Sequence, residues 1–209
     1  MEIEIYSDVV CPWCYIGMRR LMRVVESDGG PVTLRWRAFQ LDPSAPESPR
    51  PLLESLAEKF GGPERARQIT ERTAAVAAAE GIELNFDRAL SANTFDAHRL
   101  IWFAARAGKQ AVLVEALHRA HFTDGLDIGS PWVLAQVADS VDVNGAAAFL
   151  SSDAGVREVR AELDHARELG ITAVPTFVFA GKYAITGAQE ESTLRQVLEE
   201  VRRREASAA

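Results

Sequence analysis

The stretch YSDVVCPWCYIG, residues 6–17, contains both cysteines of the chain, Cys11 and Cys14, in a Cys-x-x-Cys spacing. Before it, EIEIYSD alternates charge with Ile3, Ile5 and Tyr6 as a short strand does. After it, Tyr15, Met18, Leu21, Met22 and Val25 recur at helical spacing until Gly29 and Gly30. The dithiol is therefore expected at a strand-to-helix junction. There, unpaired backbone N–H groups and the positive helix end stabilise negative sulfur on Cys11. Pro12 suits the first helical turn because its missing N–H has no intrahelical acceptor, and Cys14 falls one turn on, within bonding reach of Cys11. Three readings of the pair stand at this point: a redox couple, half of a metal site, or two small buried hydrophobes.

Outward from the motif, VTLRWRAFQL alternates again at Val32, Leu34, Trp36 and Ala38, so the chain opens β-α-β. Residues 42–51 hold Pro43, Pro46, Pro49 and Pro51 and read as a linker, after which the pattern becomes helical only. Helices are predicted over about 52–60, 63–80, 94–107 with Thr94 as N-cap, 109–122 and 130–140 with Ser130 and Pro131 at its start. A helix over about 153–169 closes at Gly170, PTFVFAGKYAITG reads as a hairpin turning at Ala180 and Gly181, and a last helix covers about 190–204. The expected fold is α/β: a small mixed sheet with helices on both faces, built by residues 1–41 and 153–209, with an all-helical insertion at 42–152.

The bulk numbers fit a folded globular protein and argue against some partners. The 209 residues can bury a substantial core, and 47% hydrophobic with 25% charged residues is ordinary globular composition. Net charge is −7, from 23 Lys+Arg against 30 Asp+Glu, which argues against a nucleic acid or an anionic membrane held by a broad basic surface. The VRRR at 201–204 reads as the solvated last turn of a helix. The N-terminal segment carries Glu2, Glu4 and Asp8 and no signal-peptide pattern, and no run of about 18 apolar residues suggests a membrane span. A cytoplasmic location is expected, where a disulfide is more often catalytic than structural.

The junction, the later hairpin and the segments SDVVCPWCYIG, SANTFDAHRL, HFTDGLDIG, AVPTFVF and YAITGAQ together resemble the thioredoxin superfamily, in particular its DsbA-like branch with a helical insertion and the cytoplasmic FrnE-like members. The resemblance implies a protein disulfide oxidoreductase in which Cys11 attacks and Cys14 resolves. It also implies that Pro175 is a cis-proline facing the pair and that Val174 offers backbone hydrogen bonds to a substrate strand. Trp13 stands where periplasmic relatives often carry histidine, so a strongly oxidising role does not transfer.

Other candidates carry competing readings. His118 and His121, spaced i, i+3, could join Cys11 and Cys14 in a tetrahedral zinc set, or be partly buried helix residues. His98 shares a face with Phe95 and Trp102 and is either packing or, with Asn93 and Thr94, part of the lining of a groove over Cys11. Glu4 is either a buried acid that takes protons during exchange or an exposed strand carboxylate. Pro12 and Trp13 lie between the cysteines, where an exposed Trp13 shapes what approaches. The expected substrates are protein or small-molecule thiols and disulfides, glutathione among them, with no metal or organic cofactor and a homodimer allowed. The kappa-class glutathione transferases and 2-hydroxychromene-2-carboxylate isomerases look similar in architecture but typically carry a single Ser or Cys at the helix end. A binding module with unreactive cysteines is the remaining reading.

Overall fold

The computed structural model describes residues 1–45 and 48–208, so Pro46 of the proline-rich segment lies outside the described residues. The predicted opening is observed: β1 (Glu2–Ser7), α1 (Pro12–Asp28), β2 (Thr33–Ala38). The hairpin is β5 (Thr176–Phe179) and β6 (Tyr183–Thr186), and the sheet runs β2-β1-β5-β6, with β1 parallel to β2 and antiparallel to β5. Helices α2 (Leu52–Phe60), α3 (Pro63–Ala79), α4 (Phe95–Ala104, extended by a 3₁₀ turn), α5 (Gln110–Phe122), α6 (Pro131–Asp139) and α7 (Ala146–Leu150) follow β2. Helices α8 (Val156–Glu168) and α9 (Glu191–Ala208) flank the hairpin in sequence.

Helix α7, a short ladder and the end of α9 differ from the sequence expectation. Helix α7 was not anticipated, because a five-residue AAAFL turn shows no full apolar period. A two-residue ladder pairs β3 (Arg50–Pro51) with β4 (Leu90–Ser91), too short for alternation to register. Helix α9 also continues to Ala208, beyond the expected end at 204.

Strand parity sorts β1 onto two faces. Ile3 and Ile5 sit opposite Phe179 and Phe177 on one side and Leu34 and Trp36 on the other, and all join the core that also holds Ile16, Leu21, Leu194, Leu198 and Val201. Full burial of each such side chain contributes roughly 1.5–3 kcal/mol. Glu4 and Tyr6 point to the opposite face, where Tyr6 packs with Val178 and Ala166. The first core continues through Leu100, Leu113, Leu117 and Phe122, so the helical segment and the sheet share one apolar interior.

Helix α1, which bears the cysteines, is held from several directions. Its C-terminal end turns out at Gly29, φ 69°, a left-handed position that glycine takes without steric cost. Arg20, nearly buried, pairs with Glu80 at 2.6 Å and donates to the Ala188 carbonyl at 2.9 Å, while Arg23 reaches both Glu80 and Glu191. Burial of Arg20 and Glu80 makes that pair costly to break from one side. At Gly17, a Cβ would stand 2.9 Å from Pro175 Cγ and 3.3 Å from Phe177 Cζ, so the helix approaches the hairpin as closely as a bare backbone allows.

On the far side of α1, α5 carries His118 and His121, both fully buried, with no hydrogen-bond partner at either ring nitrogen among the described residues. The His118 ring stacks on Tyr15 at 4.8 Å, and the Val9 backbone approaches it without hydrogen-bond geometry. Burial, and then His121 beside it, push the His118 imidazole down to about 3, while burial pushes His121 down to about 4. The unfolded chain protonates both near pH 6.5, so their native-state contribution is complete above that pH and is lost progressively as pH falls toward 4.

Two measurements check this packing. Gly17→Ala should lower stability by about 1–3 kcal/mol through overpacking, read as a drop of several degrees in melting temperature; an unchanged melting temperature would mean that Pro175 yields freely. Urea unfolding should show a steeper loss of stability from pH 7 to 5 in the wild type than in His118→Phe, each buried histidine accounting for about 1.4 kcal/mol per pH unit below 6.5. Parallel wild-type and variant curves would mean that His118 is solvated.

Candidate active site

Strand β1 ends at Ser7, and the Cys11 N–H donates to the Asp8 carbonyl at 3.0 Å, closing a tight turn that delivers Cys11 to the N-cap of α1. The Cys11 carbonyl then accepts from Cys14 N–H at 3.0 Å and Tyr15 N–H at 3.3 Å, which begins the helix. Pro12 occupies the first turn as expected, and no acidic residue offsets the positive helix end there. Trp13 is 41% exposed, as the surface reading required. Cys11 is 4% exposed and Cys14 1%, both buried free thiols.

The hairpin supplies the other wall. The Val174–Pro175 peptide is cis, and the Cys11 thiol donates weakly to the Val174 carbonyl at 3.8 Å. Thr176 ties this loop back through Ala173 O at 2.8 Å and the Thr186 hydroxyl at 3.0 Å. Burial pushes the Cys14 thiol well above its ordinary value; its hydrogen bond to Cys11 and the neighbouring charges of Cys11 and Asp8 act in the same direction, opposed by the Asp8 backbone N–H. The thiolate form is thus disfavoured at Cys14.

The remaining candidates are buried or half-buried. His98 is 3% exposed, and its Nε2 faces Asp8 Oδ1 at 3.3 Å, in keeping with its reading as a packed side chain. Asn93 binds the segment around it: its amide donates to the Pro43 and Ala45 carbonyls, and its Oδ1 accepts from Gln40 Nε2 at 3.2 Å and Phe95 N–H at 3.0 Å. The side-chain cap of α4 is therefore made by Asn93; Thr94 occupies the N-cap position without such a bond. Glu4 is an ion-paired acid, half-buried against Arg37 at 2.7 Å on the sheet face turned away from α1. Among the described residues, no three His, Cys, Asp or Glu side chains converge as metal ligands, those of the zinc alternative included.

Asp8 is the residue that the sequence reading passed over. It is fully buried, its Oδ2 accepts the Leu41 N–H at 2.8 Å, and its Oδ1 faces His98. A carboxylate between apolar Val9 and a strand end was the available signal, but an aspartate at such a turn ordinarily reads as local turn chemistry. Its partner on α4 is 90 residues away in sequence. A cleft at the β2 edge beside Trp102 and Arg106 and another between α1, α5 and α6 do not include Cys11.

With this geometry in hand, comparison with known proteins is specific. A probable DsbA oxidoreductase from Streptomyces coelicolor is 33% identical, covers 96% of this chain and 89% of its own, and superposes with a TM-score of 0.87. The cytosolic disulfide reductase DsbM from Pseudomonas aeruginosa, solved with GSH, shares the fold at 19% identity and TM-score 0.69, over 97% of this chain and 100% of its own. A 2-hydroxychromene-2-carboxylate isomerase does so at 19% and 0.72, over the whole of both chains. The DSBA-like thioredoxin domain matches residues 2–199, and the chain belongs to that family of thioredoxin-fold proteins.

Proposed function

We propose that this protein is a thiol–disulfide oxidoreductase whose redox pair is Cys11 and Cys14. The observation that carries the reading is the placement of Cys11 at the mouth of α1, against the Val174 carbonyl, with Cys14 buried one turn inside. The Cys11 thiolate attacks a substrate disulfide, one partner leaves as thiolate, and a mixed disulfide forms; Cys14 then displaces the second partner. In the reverse direction a substrate thiolate attacks the Cys11–Cys14 disulfide. Trp13, Pro12, Val174 and Pro175 flank the reacting sulfur and are assigned to substrate contact, with no metal or organic cofactor taking part.

The reading assigns the chemistry to 1–41 and 153–209 and the wall over it to 42–152, with the FrnE-like branch as the nearest by motif. Small-molecule or protein thiols are the substrates, and glutathione is included because the structure of DsbM contains it. A cytoplasmic setting is part of the proposal, in line with that cytosolic relative; no helix among the described residues is long and apolar enough to cross a membrane. The isomerase alternative needs only one nucleophile, whereas here a second thiol stands within a helical turn of the first.

Incubation with oxidised glutathione followed by intact mass measurement tests the assignment. Cys14→Ser should accumulate one glutathione adduct at Cys11, reversed by reductant, while Cys11→Ser forms almost none. An adduct forming readily on Cys14 alone would reverse the roles, and a wild type that never forms the Cys11–Cys14 disulfide would favour the isomerase or binding readings. Elemental analysis of the purified protein is expected to find no stoichiometric zinc; one zinc per chain, lost in Cys11→Ser, would replace the redox reading.

A further inference from the structure

The sheet has two outer strands, β2 and β6, whose outward backbone groups lack a ladder partner, and the fold treats them differently. In β2 the Thr33 N–H donates to the Met1 carbonyl at 2.9 Å, so alternation turns the backbone groups of Leu34, Trp36 and Ala38 outward. Side chains meet them there. The Gln110 carboxamide accepts from the Trp36 N–H and donates to the Trp36 carbonyl, each at 3.2 Å, and Glu162 accepts from the Ala38 N–H at 3.1 Å. A strand approaching β2 finds Trp36 and Ala38 already engaged.

The β6 edge is more open. Its pairing with β5 sets Tyr183 opposite Phe179 and Ile185 opposite Phe177, and the Gly187 N–H donates to the Pro175 carbonyl at 2.7 Å. Tyr183, Ile185 and Gly187 therefore turn their backbone groups inward, and Ala184 and its neighbours Lys182 and Thr186 turn theirs out. Of the outward set, the Lys182 N–H turns back to the Phe179 carbonyl at 3.0 Å, and the Thr186 carbonyl accepts from Gln189 Nε2 at 2.7 Å. The Lys182 carbonyl, the Ala184 N–H and carbonyl, and the Thr186 N–H have no partner among the described residues.

That residual pattern is complementary to itself. With a second copy antiparallel about a two-fold axis at Ala184, each Ala184 N–H meets the other Ala184 carbonyl, and each Thr186 N–H meets the other Lys182 carbonyl. Every free group of the edge is used, and the groups already engaged fall opposite one another. Shifting the axis to Tyr183 or Ile185 instead sets a free group of Ala184 against one already engaged. Because Gln110 and Glu162 obstruct β2, the association closes as a pair and does not run on as a filament. The side chains agree with this. Ala184 is small and exposed, so the strands approach freely. Tyr183 and Ile185, half-buried along a cleft of about 420 Å³ between β6 and α9, come opposite the copy's Ile185 and Tyr183, an aromatic and β-branched pairing that favours a ladder. Nearby charges are balanced, Lys182 by Glu205 at 2.9 Å and Arg204 by Glu200 at 2.6 Å, so the net charge of −7 is not concentrated at this edge.

We propose that the protein pairs with a second copy of itself through the β6 edges, joining two four-stranded sheets into one. The strand that pairs is bonded through Gly187 to Pro175, so association braces from outside the loop that faces Cys11. The pairing holds whichever chemistry the thiols perform.

Sedimentation velocity of the full chain over a concentration series tests it. The wild type should pass from monomer to dimer, half-dimerised below about 100 µM, with no larger species. Ala184→Lys and Ala184→Glu each place like charges directly opposite at the axis and should weaken dimerisation at least about fivefold. Mixed in equal amounts, the two variants bring opposite charges together and should associate at least as tightly as the wild type, a recovery specific to an axis at residue 184. Ala184→Pro, which removes the central N–H of an edge strand, should be monomeric over the same range. Circular dichroism checks that each variant is folded, and if the proline variant is not, the charge pair decides. A wild type that stays monomeric throughout, species larger than a dimer, charged variants that dimerise like the wild type, or a loss that mixing does not restore would each overturn the inference.

Discussion

The hydrogen bond from the Cys11 N–H to the Asp8 carbonyl, 3.0 Å long, is the constraint on which the site depends. It turns the chain from β1 into α1 across the four residues Asp8 to Cys11. That single turn fixes Cys11 at the helix end, Cys14 one turn inside, and the Asp8 carboxylate in the buried junction. If the turn were longer, Cys11 would lose the unpaired N–H groups of the first turn; if β1 ran on, Asp8 would join the ladder and its side chain would follow strand parity. The sequence that permits the turn is short: Val9 is buried in the core and so anchors the bend, and Pro12 starts the helix without a wasted donor.

Such a junction is useful only if α1 does not move relative to the hairpin. Gly17 lets the helix lie directly on Pro175, and the arginines of its second and third turns tie it outward to Glu80, Glu115 and Glu191. Exposed members of such networks contribute little individually, but Arg20 and Glu80 are shielded enough that their geometry is held. Tyr15 adds a further tether, its hydroxyl donating to Glu115 at 2.7 Å while its ring stacks on His118. Burial, with help from the Glu115 charge, pushes this phenol up to about 12, so it stays a neutral donor across the physiological range.

Much of this was legible because the period of the pattern changes. Alternation through Ile3 and Ile5 followed by helical spacing from Tyr15 marks the junction, and glycines mark the end of α1 and the hairpin turn. What escaped was either too short, as with β3, β4 and α7, or made by residues distant in the chain. Glu4 illustrates the second limit. It is an acid on the strand leading to the cysteines, yet parity with Ile3 and Ile5 puts it on the face of Arg37 and Glu162, away from α1. Asp8 has the opposite history: its local sequence suggests a turn, and only the approach of His98 from α4 shows that its carboxylate is enclosed. The cysteines and Pro175 could be found by spacing and resemblance, whereas the buried polar group behind them required the packing.

The charge distribution along α1 places its cations beyond the first turn. Its first turn carries no acidic side chain, and the cations of the helix begin at Arg19 and are each engaged by a glutamate. No guanidinium therefore stands between the sulfurs, and the field at the pair is set by the helix end on the outside and by burial and Asp8 on the inside. At Cys14, one turn inside the helix, burial favours the neutral thiol, and the Cys11 and Asp8 charges act in the same direction. The helical segment contributes to the buried junction, since α4 brings His98 to Asp8 and α5 stacks His118 on Tyr15. Because those helices share the core of the sheet, the environment of Cys14 is as fixed as the fold itself, and it cannot be altered without disturbing residues far from the cysteines in sequence.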